Sequence, residues 1–311
     1  MRRAAKHLGE LVLCASGATR LARARLSDGA LVLAYHDIAP DEANGPDGPD
    51  GANPAGDASL HLPRREFARQ LDRLARTHDI VPLPAVLEPR RGRRPRAAIT
   101  FDDAYEGALS EGVPELVDRG LPATIFVAPA FADGRDFWWD ALAGPDGLPD
   151  EVRAHALGAL GGRDAAVRRW AAARGWTPRP LPSHMHAARE SRIAAVAALP
   201  GITLAAHTWS HPVLPALAAD ELRQELVRPL AWLRERFERV LPWLTYPYGA
   251  TSPEVASSAA ALGYAAALRV DGGWLHHPAR ADRFDLPRLN IPAGLSARGF
   301  QLRASGLLQE R

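Results

Sequence analysis

The sequence predicts an α/β protein built on parallel strands. Seven short runs read as strands, and segments with helical spacing alternate with them, which is the order of repeated β-α units. The strand-like runs are Leu31 to Tyr35, Ala97 to Phe101, Ala123 to Val127, Ile202 to Ala206, Leu244 to Tyr246, Ala265 to Leu268 and Leu289 to Ile291. Seven suit a barrel, although this pattern alone does not separate a barrel from an open doubly wound sheet. Composition agrees: 311 residues, 47% hydrophobic and 24% charged, suffice for one large domain with insertions.

The elements follow in order. Met1-Arg2-Arg3-Ala4-Ala5-Lys6-His7 is basic and Leu11 to Ala18 mildly apolar, a superficial likeness to a signal peptide. The apolar part is short, Glu10 interrupts it, Arg20, Arg23 and Arg25 follow, and Leu13 before Cys14 is not the small residue a lipoprotein site needs. Residues 1–29 are therefore expected to form an amphipathic helical segment lying on the fold or on a membrane surface, with the barrel domain running over 30–311. A cytoplasmic enzyme with peripheral membrane contact is the expectation. No segment reaches the ~20 apolar residues of a span, and Cys14, the single cysteine, excludes a disulfide within the chain.

Asp41 to Ser59 is too rich in Gly, Pro, Asp and Asn for a packed element and is expected to be a mobile lid. Helical spacing covers Phe67 to Thr77, Ala104 to Arg119, Ala219 to Arg239, with Asp220 as a start signal, and Glu254 to Leu262. Asp133 to about Ala198 reads as a helical insertion over or beside the barrel mouth. It opens with Phe137-Trp138-Trp139-Asp140, whose tryptophans suit helix packing better than sugar stacking. The net charge is only +2, with a pI near 9.0. Arg90-Arg91-Gly92-Arg93-Arg94 reads as a solvated loop, or one that meets an anionic glycan or lipid headgroups. No nucleic-acid motif accompanies it.

The chemistry lies in Asp102 and Asp103, at the end of a predicted buried strand, and in His207-Thr208-Trp209-Ser210-His211 further on. An Asp-Asp pair is often a solvated strand end, and a His-x-x-x-His spacing is usually a surface accident. Their combination, each after a strand-like run, argues for a site. A catalytic zinc-type ion takes about three imidazole or carboxylate ligands and leaves a position open. Two histidines and one aspartate meet that count, and the other aspartate can accept a proton from a water whose pKa the metal lowers toward ~7.

These residues resemble the polysaccharide deacetylases of carbohydrate esterase family four, the NodB-homology domain. Thr100-Phe101-Asp102-Asp103 matches the first motif of that family and His207-Thr208-x-x-His211 its second, while Tyr246-Pro247-Tyr248-Gly249 matches a third ending in Pro-Tyr-Gly. The resemblance runs from about Leu31 to Ile291. It implies a distorted, incomplete (β/α) barrel, with Asp102 as general base, Asp103, His207 and His211 as metal ligands, and the Tyr248 backbone N–H as an oxyanion donor. The metal implied is zinc first, with cobalt, manganese or nickel as alternatives. Trp274, in Asp271-Gly272-Gly273-Trp274, is a loose counterpart of a family segment and a candidate wall for an acetyl methyl group; Tyr246 is a further candidate for substrate binding.

The chain also departs from the family. The arginine that often precedes Pro-Tyr is absent, because Trp243, Leu244 and Thr245 stand there, and no histidine lies in Asp285 to Ile291 where a Leu-x-His motif would supply the general acid. His36, which ends the run Ala30 to Tyr35, is the candidate replacement acid; the alternative is a histidine bonded to its own loop. Arg288 is the candidate to take over the missing arginine's charge role, or to bind substrate. The expected activity is removal of N-acetyl groups from hexosamine units of a polysaccharide, oligosaccharide or lipid-linked precursor in cell-surface glycan biosynthesis. The alternatives are an O-acetyl esterase or deformylase in the same fold, or an inactive glycan-binding relative. Nothing in the sequence gives the sugar or the oligomeric state.

Overall fold

A computed structural model describes residues 2–26, 28–41, 56–88, 94–144 and 147–308. Most of the expected lid, residues 42–55, and the arginine cluster up to Arg93 lie outside the described residues.

The seven expected runs form strands β1 (Ala30–Tyr35), β2 (Arg96–Phe101), β3 (Ala123–Val127), β4 (Ile202–Ala206), β5 (Val240–Thr245), β6 (Ala266–Gly272) and β7 (Leu286–Asn290). Each pairs in parallel with the next, and β7 returns to β1 through Leu33↔Leu289 and Ala34↔Asn290, so the sheet closes into a barrel. Two seams distort its lower half. The short strand Asp79–Ile80 pairs with Arg96 and Ala97 of β2 where β3 does not reach, and Trp274–Leu275 runs antiparallel against Ala30 and Leu31 of β1 below β7.

The strands are apolar on both faces because both are covered. Val32, Ala98, Phe126, Ala205, Trp243, Leu268 and Leu286 pack together inside the barrel, whereas Leu33, Ile99, Ile125, Leu204, Leu244 and Leu289 pack beneath the helices. This two-residue alternation also points Thr100 and Arg288 inward.

The helix Arg64–Thr77 buries Phe67, Leu71 and Leu74, one stripe at helical spacing. Helices Ala219–Arg236 and Pro253–Ala261 fall where the periodicity places them. The helix expected over 104–119 runs continuously over 106–117, with a π-helical segment, Ala108–Gly112, before its last stretch Val113–Val117. Pro114 lacks the N–H that an unbroken ladder needs. The 133–198 segment contributes helices Trp138–Ala141, Asp150–Gly158, Asp164–Ala172 and Glu190–Ala197, and residues 2–25 form Arg2–Ala15 and Ala18–Arg25. Among the described residues no helix is long and apolar enough to cross a membrane.

Candidate active site

The loops after β1, β2, β4 and β5 bring His36, Asp102, Asp103, His207, His211, Tyr246 and Tyr248 around one cavity of about 370 Å³, at the strand ends where barrel chemistry is built. Neighbouring strands fix the entry to each loop. The N–H of Asp102 donates to the Tyr35 carbonyl (2.9 Å), that of His207 to Val127 (2.8 Å) and that of Tyr246 to Leu268 (3.1 Å). Beyond those points the backbone is strained. Asp103, Ala104, Thr208, His211 and Tyr248 have φ between 51° and 66°, and they are the only non-glycine residues with positive φ among those described. Such conformations persist where the surroundings impose them. Here Thr208 Oγ1 accepts the His211 N–H (3.0 Å), and Glu225 accepts the N–H groups of Trp209 and Ser210 (2.9 and 2.8 Å).

His207 Nε2 and His211 Nε2 lie 3.0 Å apart, and Asp103 Oδ1 is 3.5 and 3.4 Å from them. A tetrahedral ion with bonds of about 2.0–2.2 Å separates its ligand atoms by roughly 3.3–3.6 Å; the two separations from Asp103 fall in that range, and the histidine pair at 3.0 Å is about 0.3 Å closer than an ion would hold it. The chemistry of the three atoms fits such an ion. His207 Nδ1–H donates to the Thr245 carbonyl (2.9 Å), which leaves Nε2 as a bare lone pair. Burial holds both histidines toward the neutral form, His211 strongly so. Asp103 Oδ1 is buried with no hydrogen-bond donor, and burial together with Asp102 and Asp140 pushes its pKa well up. A carboxylate in that state lacks a cation.

Asp102 has its cation in the protein. Arg288 is fully buried and donates Nη1–H to Oδ1 (2.8 Å) and Nη2–H to Oδ2 (2.6 Å), while its Nε–H bonds the Arg269 carbonyl (2.6 Å) and Nη1–H also reaches Thr100 Oγ1 (3.1 Å). Burial alone would raise the Asp102 pKa, but the Arg288 guanidinium and His207 hold it well below the usual carboxylate range. Arg288 therefore supplies the cation that pairs with Asp102. It is sealed inside the barrel beside Asp102 and is not among the residues that line the cavity.

Trp274 is corrected outright. Gly272 and Gly273 (φ 96° and 75°) reverse the chain after β6, and Trp274 pairs with Leu31 near the start of β1, where its indole donates to the Arg303 carbonyl (3.3 Å). It lies at the opposite end of the barrel from the cavity. The aromatic wall is Trp139, with its ring centroid 4.9 Å from that of His211 and 6.1 Å from that of Tyr248. Packing and pocket lining are both true of this tryptophan, which is 4% exposed. Tyr246 lines the cavity, but its hydroxyl is committed to the Phe284 carbonyl (2.8 Å). His36 faces the cavity, and burial lowers its pKa to about 4, with Asp102 opposing and Arg288 and His207 reinforcing.

A buried polar network that sequence reasoning missed supports Trp139. Its indole N–H donates to the Tyr105 hydroxyl (2.8 Å), Tyr105 donates to Asp140 Oδ2 (2.6 Å), and Asp140 Oδ1 accepts the Asp57 N–H (2.7 Å) and His61 Nε2 (3.0 Å). His61 Nδ1 and His184 Nδ1 then meet Asp37 Oδ2 at 2.8 and 2.6 Å. These separations are those of charge-assisted hydrogen bonds. Burial opposes a charged His61, but its bonds to Asp140 and Asp37 outweigh burial and raise its pKa to about 10. Asp57, paired with Arg153 across the cavity rim, ties the network to the pocket. Tyr105→Phe should thus cost about 1–3 kcal/mol in a thermal melt by stranding buried partners, and should raise KM more than it lowers kcat as the Trp139 wall loosens.

The barrel and the acid–histidine cluster at its mouth define a class, and comparison supplies the family. The family model for polysaccharide deacetylases matches residues 90–267, and the chain belongs to that family. Solved structures agree on the fold. A Streptococcus pyogenes deacetylase, PplD, in complex with acetate matches with a TM-score of 0.58 at 16% identity, covering 87% of this chain and 96% of that one. IcaB from Ammonifex degensii gives 0.58 at 18%, covering 90% and 98%, and a de-N-acetylase from Aggregatibacter actinomycetemcomitans gives 0.59 at 13%, covering 89% and 100%. No curated protein sequence matches significantly.

Proposed function

We propose that this chain is a metal-dependent N-deacetylase acting on N-acetylhexosamine units of a polysaccharide, oligosaccharide or lipid-linked glycan precursor. The observation that carries the reading is the convergence of Asp103, His207 and His211 beside a carboxylate, Asp102, that the protein keeps ionised. Asp103 Oδ1, His207 Nε2 and His211 Nε2 would hold the ion, for which zinc best suits two imidazoles and a carboxylate. A bound ion there supplies polarisation of the acyl carbonyl and acidification of a water.

The remaining steps belong to the chain. Asp102 accepts the water proton, the Tyr248 backbone N–H donates to the developing oxyanion, and Trp139 packs against the acyl group. An amine departs poorly unless protonated. His36 is neutral in the resting site, so the proton it delivers is the one Asp102 has taken from water. His36→Ala is therefore expected to lower kcat on N-acetyl substrates by about 10²-fold. Hydrolysis of p-nitrophenyl acetate, whose phenolate leaves unprotonated, should stay within a few-fold. Equal losses on both substrates would remove His36 from this role.

The direct test is acetate release from defined N-acetylated oligosaccharides, with and without prior chelation and zinc return. Acetate that disappears on chelation and recovers with zinc supports the reading. Release of formate alone, or of acetate only from O-acetylated glycans, would replace it with a sister hydrolase.

A further inference from the structure

We propose that the N-terminal helical hairpin, Arg2–Ala15 and Ala18–Arg25, docks the protein onto an anionic lipid bilayer. The inference is independent of the reaction assigned to the cavity. Its first ground is where apolar surface is left uncovered. Among the described residues the large hydrophobic side chains that stay exposed are Leu11 (42%), Val12 (58%), Leu21 (57%), Val117 (40%), Val227 (37%) and Leu308 (46%). The two most exposed, and three of the six, lie in this hairpin. Isolated exposed leucines and valines need no explanation, but a concentration of them marks a contact surface.

The second ground is charge. Residues 1–26 hold six basic residues, Arg2, Arg3, Lys6, Arg20, Arg23 and Arg25, against one acid, Glu10, and so leave 32 basic and 35 acidic residues in the rest of the chain. The hairpin is strongly positive on a body that is slightly negative. Glu10 does not offset this on the outer face, because it is turned inward at 6% exposure, where it accepts the Ser296 hydroxyl (2.7 Å). Thr19 is likewise buried, its hydroxyl facing Gln301 Nε2 at 3.5 Å. Both inward contacts are to the helix Ala297–Ala304 or its N-cap, which fixes the polar side of the hairpin against the fold and leaves Leu11, Val12, Leu21, Arg20 and Arg25 facing out.

An outer face of aliphatic side chains flanked by cations, with its acid withdrawn, matches the boundary layer of a bilayer, where acyl chains take the apolar groups and lipid phosphates the guanidinium groups. The sign of the charge selects anionic lipid.

The test is co-sedimentation of the full chain with vesicles of phosphatidylcholine, with and without one third phosphatidylglycerol, at low and high salt. The expected result is about tenfold or more tighter binding to the phosphatidylglycerol vesicles, weakened by salt. The combined variant Leu11→Ser, Val12→Ser, Leu21→Ser should lose about tenfold, and Arg20→Gln with Arg25→Gln should lose mainly the preference for anionic lipid. Circular dichroism confirms that both variants keep the fold. Failure to sediment with phosphatidylglycerol vesicles, equal binding to both lipids, or undiminished binding by the serine variant would overturn the proposal. So would a dimer in vesicle-free ultracentrifugation that the serine variant converts to monomer, since the face would then be an interface between copies of this chain.

Discussion

Asp102→Asn is expected to lower kcat for deacetylation by about 10²–10⁴, the range a positioned general base contributes, while leaving the metal content unchanged. The distinction rests on geometry. Asp102 is adjacent in sequence to a proposed ligand, yet its own oxygens face Arg288 at 2.8 and 2.6 Å, while Asp103 Oδ1 faces the histidines. An asparagine side chain occupies the same space and keeps one acceptor for Arg288, but it cannot take a proton from water. Metal analysis of the purified variant should give the wild-type ratio, whereas Asp103→Asn or His211→Ala should lower it. Stability is the complication, because the amide nitrogen introduced by the substitution would oppose one guanidinium nitrogen in a buried site. Kinetics must therefore be read well below the variant's own melting temperature. A variant that is folded and metal-loaded and still turns over within tenfold of wild type would show that Asp102 is not the base.

How much of this was legible in the sequence depends on whether a feature is local. Strands such as Ala97–Phe101 and Ala123–Val127 were readable because each is a short apolar run between turn formers. The convergence of Asp103, His207 and His211 was readable because Asp103 and the His207–His211 segment each follow such a run, and in a parallel barrel all the strand ends open on one face. Trp274 shows the failure of sequence counterpart reasoning. Two glycines with positive φ reverse the chain just before it, and no spacing rule carries that information. Trp139 was singled out, but its place in the cavity wall is set by its bond to Tyr105, which Asp140 holds in turn and His61 braces, so that residues far apart in the sequence decide it. Closure of β7 on β1 is equally nonlocal. Arg288 left a trace that could have been used: it shares inward parity with Leu286 on a strand whose neighbours are buried. A lone arginine at such a position needs a buried carboxylate.

That pairing gives the second large effect. Arg288→Met should destabilise the fold by about 3–5 kcal/mol, because removing one member of a buried, hydrogen-bonded ion pair leaves the other charge uncompensated. Arg288→Lys should recover part of this, since an ammonium supplies the charge but not the bidentate fork, nor the bond that Nε makes to the Arg269 carbonyl. The pH dependence gives a sign that a general packing defect would not. In the wild type the Asp102 pKa is depressed, so the pair's contribution is present above the unfolded carboxylate value of about 3.9 and is lost as the pH falls through the lower folded value. The stability gap between wild type and Arg288→Met should therefore be widest near neutral pH and should narrow in acid. Activity moves the other way along the same axis. Without the guanidinium, burial is no longer offset, the Asp102 pKa rises, and the acid limb of kcat/KM shifts to higher pH. Chemical denaturation across pH, set beside the rate profile, checks both at once. A parallel loss at every pH with an unmoved acid limb would reduce Arg288 to a packing residue and leave the ionisation of the base to the metal site alone.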